Sequence, residues 1–151
     1  MGLAAFARKN FGEASKLFTD SAEYKAKKLA EIKQHEQTLT AEVVRDLRLA
    51  GDALLNDDRP AEALHAYQRA LQYVTKEQTP QLWAAIWRDI GSAKYDLARQ
   101  EQGPAMQQSL REAEQAARRA LEVHTREHLP EEWARTQFLL GTEDTQTWTS
   151  A

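Results

Sequence analysis

The sequence predicts an all-α fold on three observations. Its composition favours helices over turns, its apolar residues recur at spacings of three, four and seven, and one segment returns fifty residues later. Hydrophobic residues make up 42% of the 151 positions and charged residues 28%, with only 6 Gly and 4 Pro. That balance supplies a core and few breakers, and strand-like runs of Val, Ile and Thr are missing.

The elements follow in order. Asn10–Gly12 is the first punctuation, and from Glu13 to Ala50 there is neither Gly nor Pro. Within that span Ala14, Leu17, Phe18, Ala22, Leu29, Ile32 and Leu39 form an apolar face, with Lys25, Lys27, Lys28 and Glu31 assigned to the other side. Thr40 is read as the cap of a new helix carrying Val43, Val44, Leu47, Ala50, Leu54 and Leu55. A turn over Asn56–Pro60 ends it, with Asp58 or Arg59 at the boundary and Pro60 in the first helical position, where no N–H is needed. The following helix buries Ala63, Leu64, Tyr67, Ala70, Leu71 and Val74. Thr79-Pro80 repeats the start signal ahead of Leu82, Trp83, Ile86, Trp87, Ile90 and Leu97. Gln100–Pro104 interrupts the pattern, a helix with Leu110, Ala113, Ala117, Ala120 and Leu121 follows, and Pro130 opens the last one. The final ten residues are polar and lack a helical face.

The repeat is the strongest signal. "TKEQTPQLWA" at Thr75–Ala84 returns as "TREHLPEEWA" at Thr125–Ala134, and twelve of the thirty positions from Glu62 to Gly91 are identical fifty residues on. Similarity at a fixed period marks a helical array in which each pair buries its face against the next.

With these residues the chain resembles the tetratricopeptide repeat family. Trp87-Arg-Asp-Ile90-Gly91 matches the first half of that family's motif, Leu140-Gly141 and Ala50-Gly51 match its Leu-Gly step, and Ala63-x3-Tyr67 and Ala14-x3-Phe18 match its second half. The second half is weakened to Ala113-x3-Ala117, and Pro80 and Pro130 stand where a new unit begins. The resemblance implies a right-handed α-α superhelix of antiparallel helix pairs over residues 1–141, with units near 1–39, 40–79 and 80–129, a partial one over 130–141, and a polar tail over 142–151. Two departures mark it. A ten-residue insertion containing Gly103-Pro104 separates Gly91 from Ala113, and the first unit's second helix is expected to be nine residues too long.

Several chemistries are disfavoured. With no cysteine, disulfides and thiolate chemistry are excluded. The net charge of -3 gives no basic field for nucleic acid or anionic lipid, and the seven Lys/Arg against four Asp/Glu over Arg8–Lys33 read as a solvated face. No apolar run approaches a bilayer span and the start does not read as a signal peptide, so the expected location is cytoplasmic. His124 and His128 stand four apart, a spacing that on a helix suits zinc, but at a helix end an incidental, partly exposed pair is the simpler reading. No catalytic motif is present, and no metal or cofactor is expected. Trp83, Trp87 and Trp133 read as packing residues rather than a ligand box, while Trp148 fits no repeat position.

In the resembled family the first helix of each pair lines a groove for a peptide or a partner's helix. Carried onto this chain, the groove-facing residues are Arg45, Arg48 and Asp52, then Arg88 and Tyr95, then Arg135 and Phe138. Four arginines with two aromatics suit a carboxylate or an acidic segment, because a guanidinium donates in pairs and a ring anchors apolar groups. The expectation is a non-catalytic module that binds a protein or peptide. The alternative is a self-associating assembly or sensor segment of a larger signalling protein, suggested by repeat ends without polar capping helices.

Overall fold

The computed structural model describes residues 2–141, with side chains from Arg8 onward. Among them are five helices and no strand: α1 (Gly2–Asn56), α2 (Pro60–Leu71), α3 (Pro80–Gln100), α4 (Gly103–Leu121) and α5 (Pro130–Leu140). The chain divides into two units, Met1–Ala41 and Glu42–Ala151. The polar tail over 142–151, including Trp148, lies outside the described residues. No described helix is long and apolar enough to cross a membrane.

The first unit corrects the sequence reading. Neither Asn10–Gly12 nor Thr40 interrupts α1, which runs through both as a single helix, so no helix pair forms over residues 1–39. The Thr40 hydroxyl donates to the Glu36 carbonyl four residues back (2.8 Å), as Thr38 does to Gln34 (3.0 Å) and Thr19 to Ser15 (2.9 Å). A threonine that bonds its own helix in this way sits mid-helix, and with no Gly or Pro between Gly12 and Gly51 nothing ends the helix there. The apolar face assigned to this segment is also not a core. Leu17, Phe18, Leu29, Ile32 and Leu39 are all exposed, as is Phe11, which the sequence reading left out of that face.

The second unit holds the core. Val44 of α1, Ala63, Leu64, Tyr67 and Ala70 of α2, Val74, Ile86, Ile90 and Ala93 of α3 and Ala116 of α4 form one buried cluster, with Leu82, Trp83 and Trp87 packed against it. Pro60, Pro80 and Pro130 each open their helix as expected. Thr79 occupies the cap position without capping. Its hydroxyl turns back to the Thr75 carbonyl (3.3 Å), and its counterpart Leu129 has no hydroxyl at all. What positions both helix starts is backbone: Thr79 N–H to Thr75 and Trp83 N–H to Thr79 (3.0 and 2.9 Å), then Leu129 to Thr125 and Trp133 to Leu129 (both 2.8 Å).

Each helix pair closes on a glycine. A side chain at Gly51 would enter the space of the Tyr67 ring, which is fully buried. At Gly91 the counterpart of that ring is Ala117, so backbone approaches instead, and an added Cβ would stand 3.3 Å from the Ala113 carbonyl oxygen and 3.6 Å from the Ala117 nitrogen. Small residues thus set the pair distance, as interhelical packing requires. The ten-residue insertion makes longer helices rather than a loop. α3 and α4 have 21 and 19 residues, against 12 in α2.

The tryptophans pack as expected. Trp83 and Trp87 meet edge to face at 6.2 Å, and the Arg119 guanidinium lies 4.3 Å over Trp87. Lys76 covers Trp83 and Arg126 covers Trp133, each at 5.6 Å, so the repeat preserves this contact as well as the backbone turn.

Candidate functional site

Three residues before each repeat glycine stand Arg48, Arg88 and Phe138, on α1, α3 and α5. The fold brings all three to one groove of about 740 Å³, together with Asp52, Asp89, Ser92, Ala134, Arg135 and Leu139. Five of the seven sequence-derived site residues are therefore neighbours: Arg48, Asp52, Arg88, Arg135 and Phe138. The other two do not line the groove. Arg45 is exposed and pairs with adjacent Asp46 (3.0 Å), and Tyr95, on α3 beyond Ser92, is exposed.

The arginines are not free. The Arg48 Nε donates to Asp89 Oδ2 at 2.7 Å, and Arg88 reaches Asp89 Oδ1 at 3.6 Å. Arg88 also donates to Glu132, whose other oxygen accepts from Arg135 at 3.3 Å. The result is a chain of alternating charges from α1 through α3 to α5. Asp52 adds a third carboxylate, accepting from the Tyr67 hydroxyl at 2.6 Å. The arrangement is close to balanced, three guanidinium groups against Asp52, Asp89 and Glu132, rather than the cationic clamp the sequence suggested.

Burial sets the electrostatics. Desolvation pushes the Asp89 carboxyl above its ordinary value, although the Arg48 hydrogen bond and the charges of Arg48 and Arg88 pull the other way. Burial opposes the charge of Arg48, but Asp89 outweighs it and holds that guanidinium protonated more firmly than usual. The Tyr67 hydroxyl is pushed far up by burial and then by donation to Asp52. Because removing one member of such a buried set strands the others, Arg48 and Arg88 are framework as well as surface. Arg135, at 64% side-chain exposure, and Phe138, at 85%, are the accessible members.

No family model, curated protein or solved structure matches the chain significantly.

A second depression of about 500 Å³ shares Arg48, Arg88 and Arg135 with the groove, and has Glu132 and His124 in its wall. His124 departs from the sequence reading. It is buried at 1% exposure rather than partly exposed, and it lies beyond the end of α4, so no helical turn aligns it with His128. Its Nδ1 is 3.2 Å from the Thr136 hydroxyl, which itself donates to the Glu132 carbonyl at 2.7 Å. The imidazole and the Thr136 hydroxyl are thus within hydrogen-bond reach, with the tautomer deciding which of them donates. Burial, then the charge of Arg88, lowers the His124 pKa, while Glu132 and the Gln81 backbone oppose them. No group of three or more His, Asp or Glu among the described residues is placed to hold a metal ion.

Sequence reasoning did not single out Glu132 as a site residue. The signal lay in the repeat, where Glu132 replaces the Leu82 of the preceding joint. Asp89 carries no such signal, since the shift of fifty sets it against Leu139.

Proposed function

We propose that the chain is a non-catalytic protein–protein interaction module of tetratricopeptide type, which takes a peptide or a partner's surface segment in the groove formed by α1, α3 and α5. In this reading the helix pairs stack as a right-handed superhelix and the groove is its inner side. The observation that carries the reading is the convergence of Arg48, Arg88 and Arg135 on one open groove beside the exposed Phe138 ring. A ring that exposed, next to a guanidinium still largely in water, suits a segment with an apolar side chain followed by a carboxylate.

The balanced charge network shifts the recognition burden to Arg135 and Phe138. A carboxylate entering the groove adds to Arg135 and competes with Glu132, so selection for acidic segments is moderate rather than dominant. Binding of fluorescent peptide pools, one acidic-aromatic and one basic-aromatic, tests this. The acidic pool is expected to bind, and Arg135→Glu with Phe138→Ala to weaken it by about tenfold or more while circular dichroism is unchanged. Equal binding of both pools, or affinity unaffected by the two substitutions, overturns the reading. Reversing Arg48 or Arg88 is the poorer test, because each also holds Asp89 or Glu132.

A further inference from the structure

The exposed stripe on the first unit has an order that identifies its occupant. Phe11, Phe18, Lys25, Ile32 and Leu39 are spaced by sevens, and Ser15, Ala22, Leu29 and Glu36 form a second series of sevens, four residues after the first. That is the three–four alternation of a coiled-coil seam. Two charged residues, Lys25 and Glu36, fall within an otherwise largely apolar seam. Lys25 stands seven residues from both Phe18 and Ile32, so it shares their face rather than the opposite side to which the sequence reading assigned it. Lys28, beside the seam, is tied to Glu31 at 3.1 Å and lies over the Tyr24 ring. Lys25 and Glu36 make no salt bridge among the described residues.

We propose that this segment of α1 pairs antiparallel with the same segment of a second copy. In the antiparallel arrangement the two series face each other, and one register aligns all the seam positions from Ala22 to Leu39. Ala22 lies opposite Leu39, Lys25 opposite Glu36, and Leu29 opposite Ile32, each layer occurring twice by the two-fold axis. The small residue meets the large one, the central layers are fully apolar, and each seam charge meets its opposite. A parallel pair stacks Lys25 on Lys25 and Glu36 on Glu36, and repels at both layers. A lipid surface is the poorer fit, because Glu36 would sit in the centre of the immersed face. The seam residues that would be covered include Leu29 at 66% exposure, Ile32 at 64% and Leu39 at 47%. This proposal is independent of the groove and its ligand.

Sedimentation equilibrium of the full chain, with circular dichroism as a control, tests it. The chain is expected to dimerise. Lys25→Glu alone and Glu36→Lys alone are each expected to weaken the dimer by about a hundredfold, since each places like charges in two layers. The double exchange K25E/E36K restores complementarity and is expected to restore the dimer. In a mixture of Leu29→Cys and Ile32→Cys chains, oxidation is expected to link 29 to 32 between copies. A chain that stays monomeric, including one that binds anionic vesicles or another protein as a monomer, overturns the proposal. So does a dimer that both single substitutions leave intact, or one that the double exchange fails to rescue.

Discussion

The two joints of the repeat share a backbone and differ in their interiors. At Thr75–Ala84 and again at Thr125–Ala134, a threonine hydroxyl accepts from the N–H three residues on (3.1 and 3.4 Å), a proline opens the helix, and a cation covers the first tryptophan. Inside, Val74 and Ile86 of the first joint become His124 and Thr136 in the second, four buried residues at equivalent positions. An apolar pair has been replaced by a hydrogen-bonded one. The turn geometry therefore does not depend on what fills it, and the second joint carries a titratable group next to Glu132 and the groove.

The largest expected effect separates the helix pairs that flank these joints. Gly51→Ala drives a methyl into the Tyr67 ring, which is buried and held by Asp52, and is expected to cost about 2–3 kcal/mol. Gly91→Ala meets the Ala113 carbonyl at 3.3 Å, and its gain in helix propensity offsets part of the crowding, leaving a change within about 1 kcal/mol. Urea unfolding of both variants checks the order. Equal losses would mean that Tyr67 and Ala117 do not set the two pair distances.

An intermediate effect is expected from pH. His124 is held neutral by burial, so its folded pKa lies below its unfolded value of about 6.5. The unfolded chain then binds the extra proton first. This contribution to stability is fully present above that pH and is lost as pH falls below it, with a slope approaching about 1.4 kcal/mol per pH unit. Replacing His124 and Thr136 together by the first joint's residues, His124→Val with Thr136→Ile, should flatten stability between the neutral range and mild acid. Denaturant midpoints measured across that window would show the slope in the parent and not in the double variant. A slope that survives the exchange assigns the proton to another group.

The smallest effect should be the same at both joints. Lys76→Ala and Arg126→Ala each remove a cation from a tryptophan face and are expected to cost about 0.5 kcal/mol at exposed sites. Thermal midpoints of the pair check this. A loss confined to Lys76 would point to its ion pair with Glu122 instead.

These comparisons show what the residues made legible. Helix starts at Pro60, Pro80 and Pro130 and the turn over Asn56–Pro60 were readable because proline and the surrounding polar residues act locally. Five groove residues were readable because each sits at a fixed offset from a glycine in a periodic array. The uninterrupted α1 was not. Thr40 looks like a cap in isolation, and only the absence of a breaker together with its bond to Glu36 decides the matter. The exposed stripe on α1 shows the same limit, since apolar periodicity reports a face that wants cover and not what covers it. The pairing of Arg88 with Glu132 depends on α3 meeting α5, which spacing along the chain does not encode. His124 looked like a surface residue for a similar reason, because its burial depends on Thr136 twelve residues later.

The central claim is that the repeat builds the scaffold and the groove beside it binds. Amide chemical-shift mapping during titration with the acidic-aromatic peptide pool tests that most directly. The account predicts shifts concentrated at Ser92, Arg135, Phe138 and Leu139, with the α2 and α4 outer residues Gln68, Gln115 and Arg118 unmoved. No shifts, or shifts centred on α2 and α4, would contradict it.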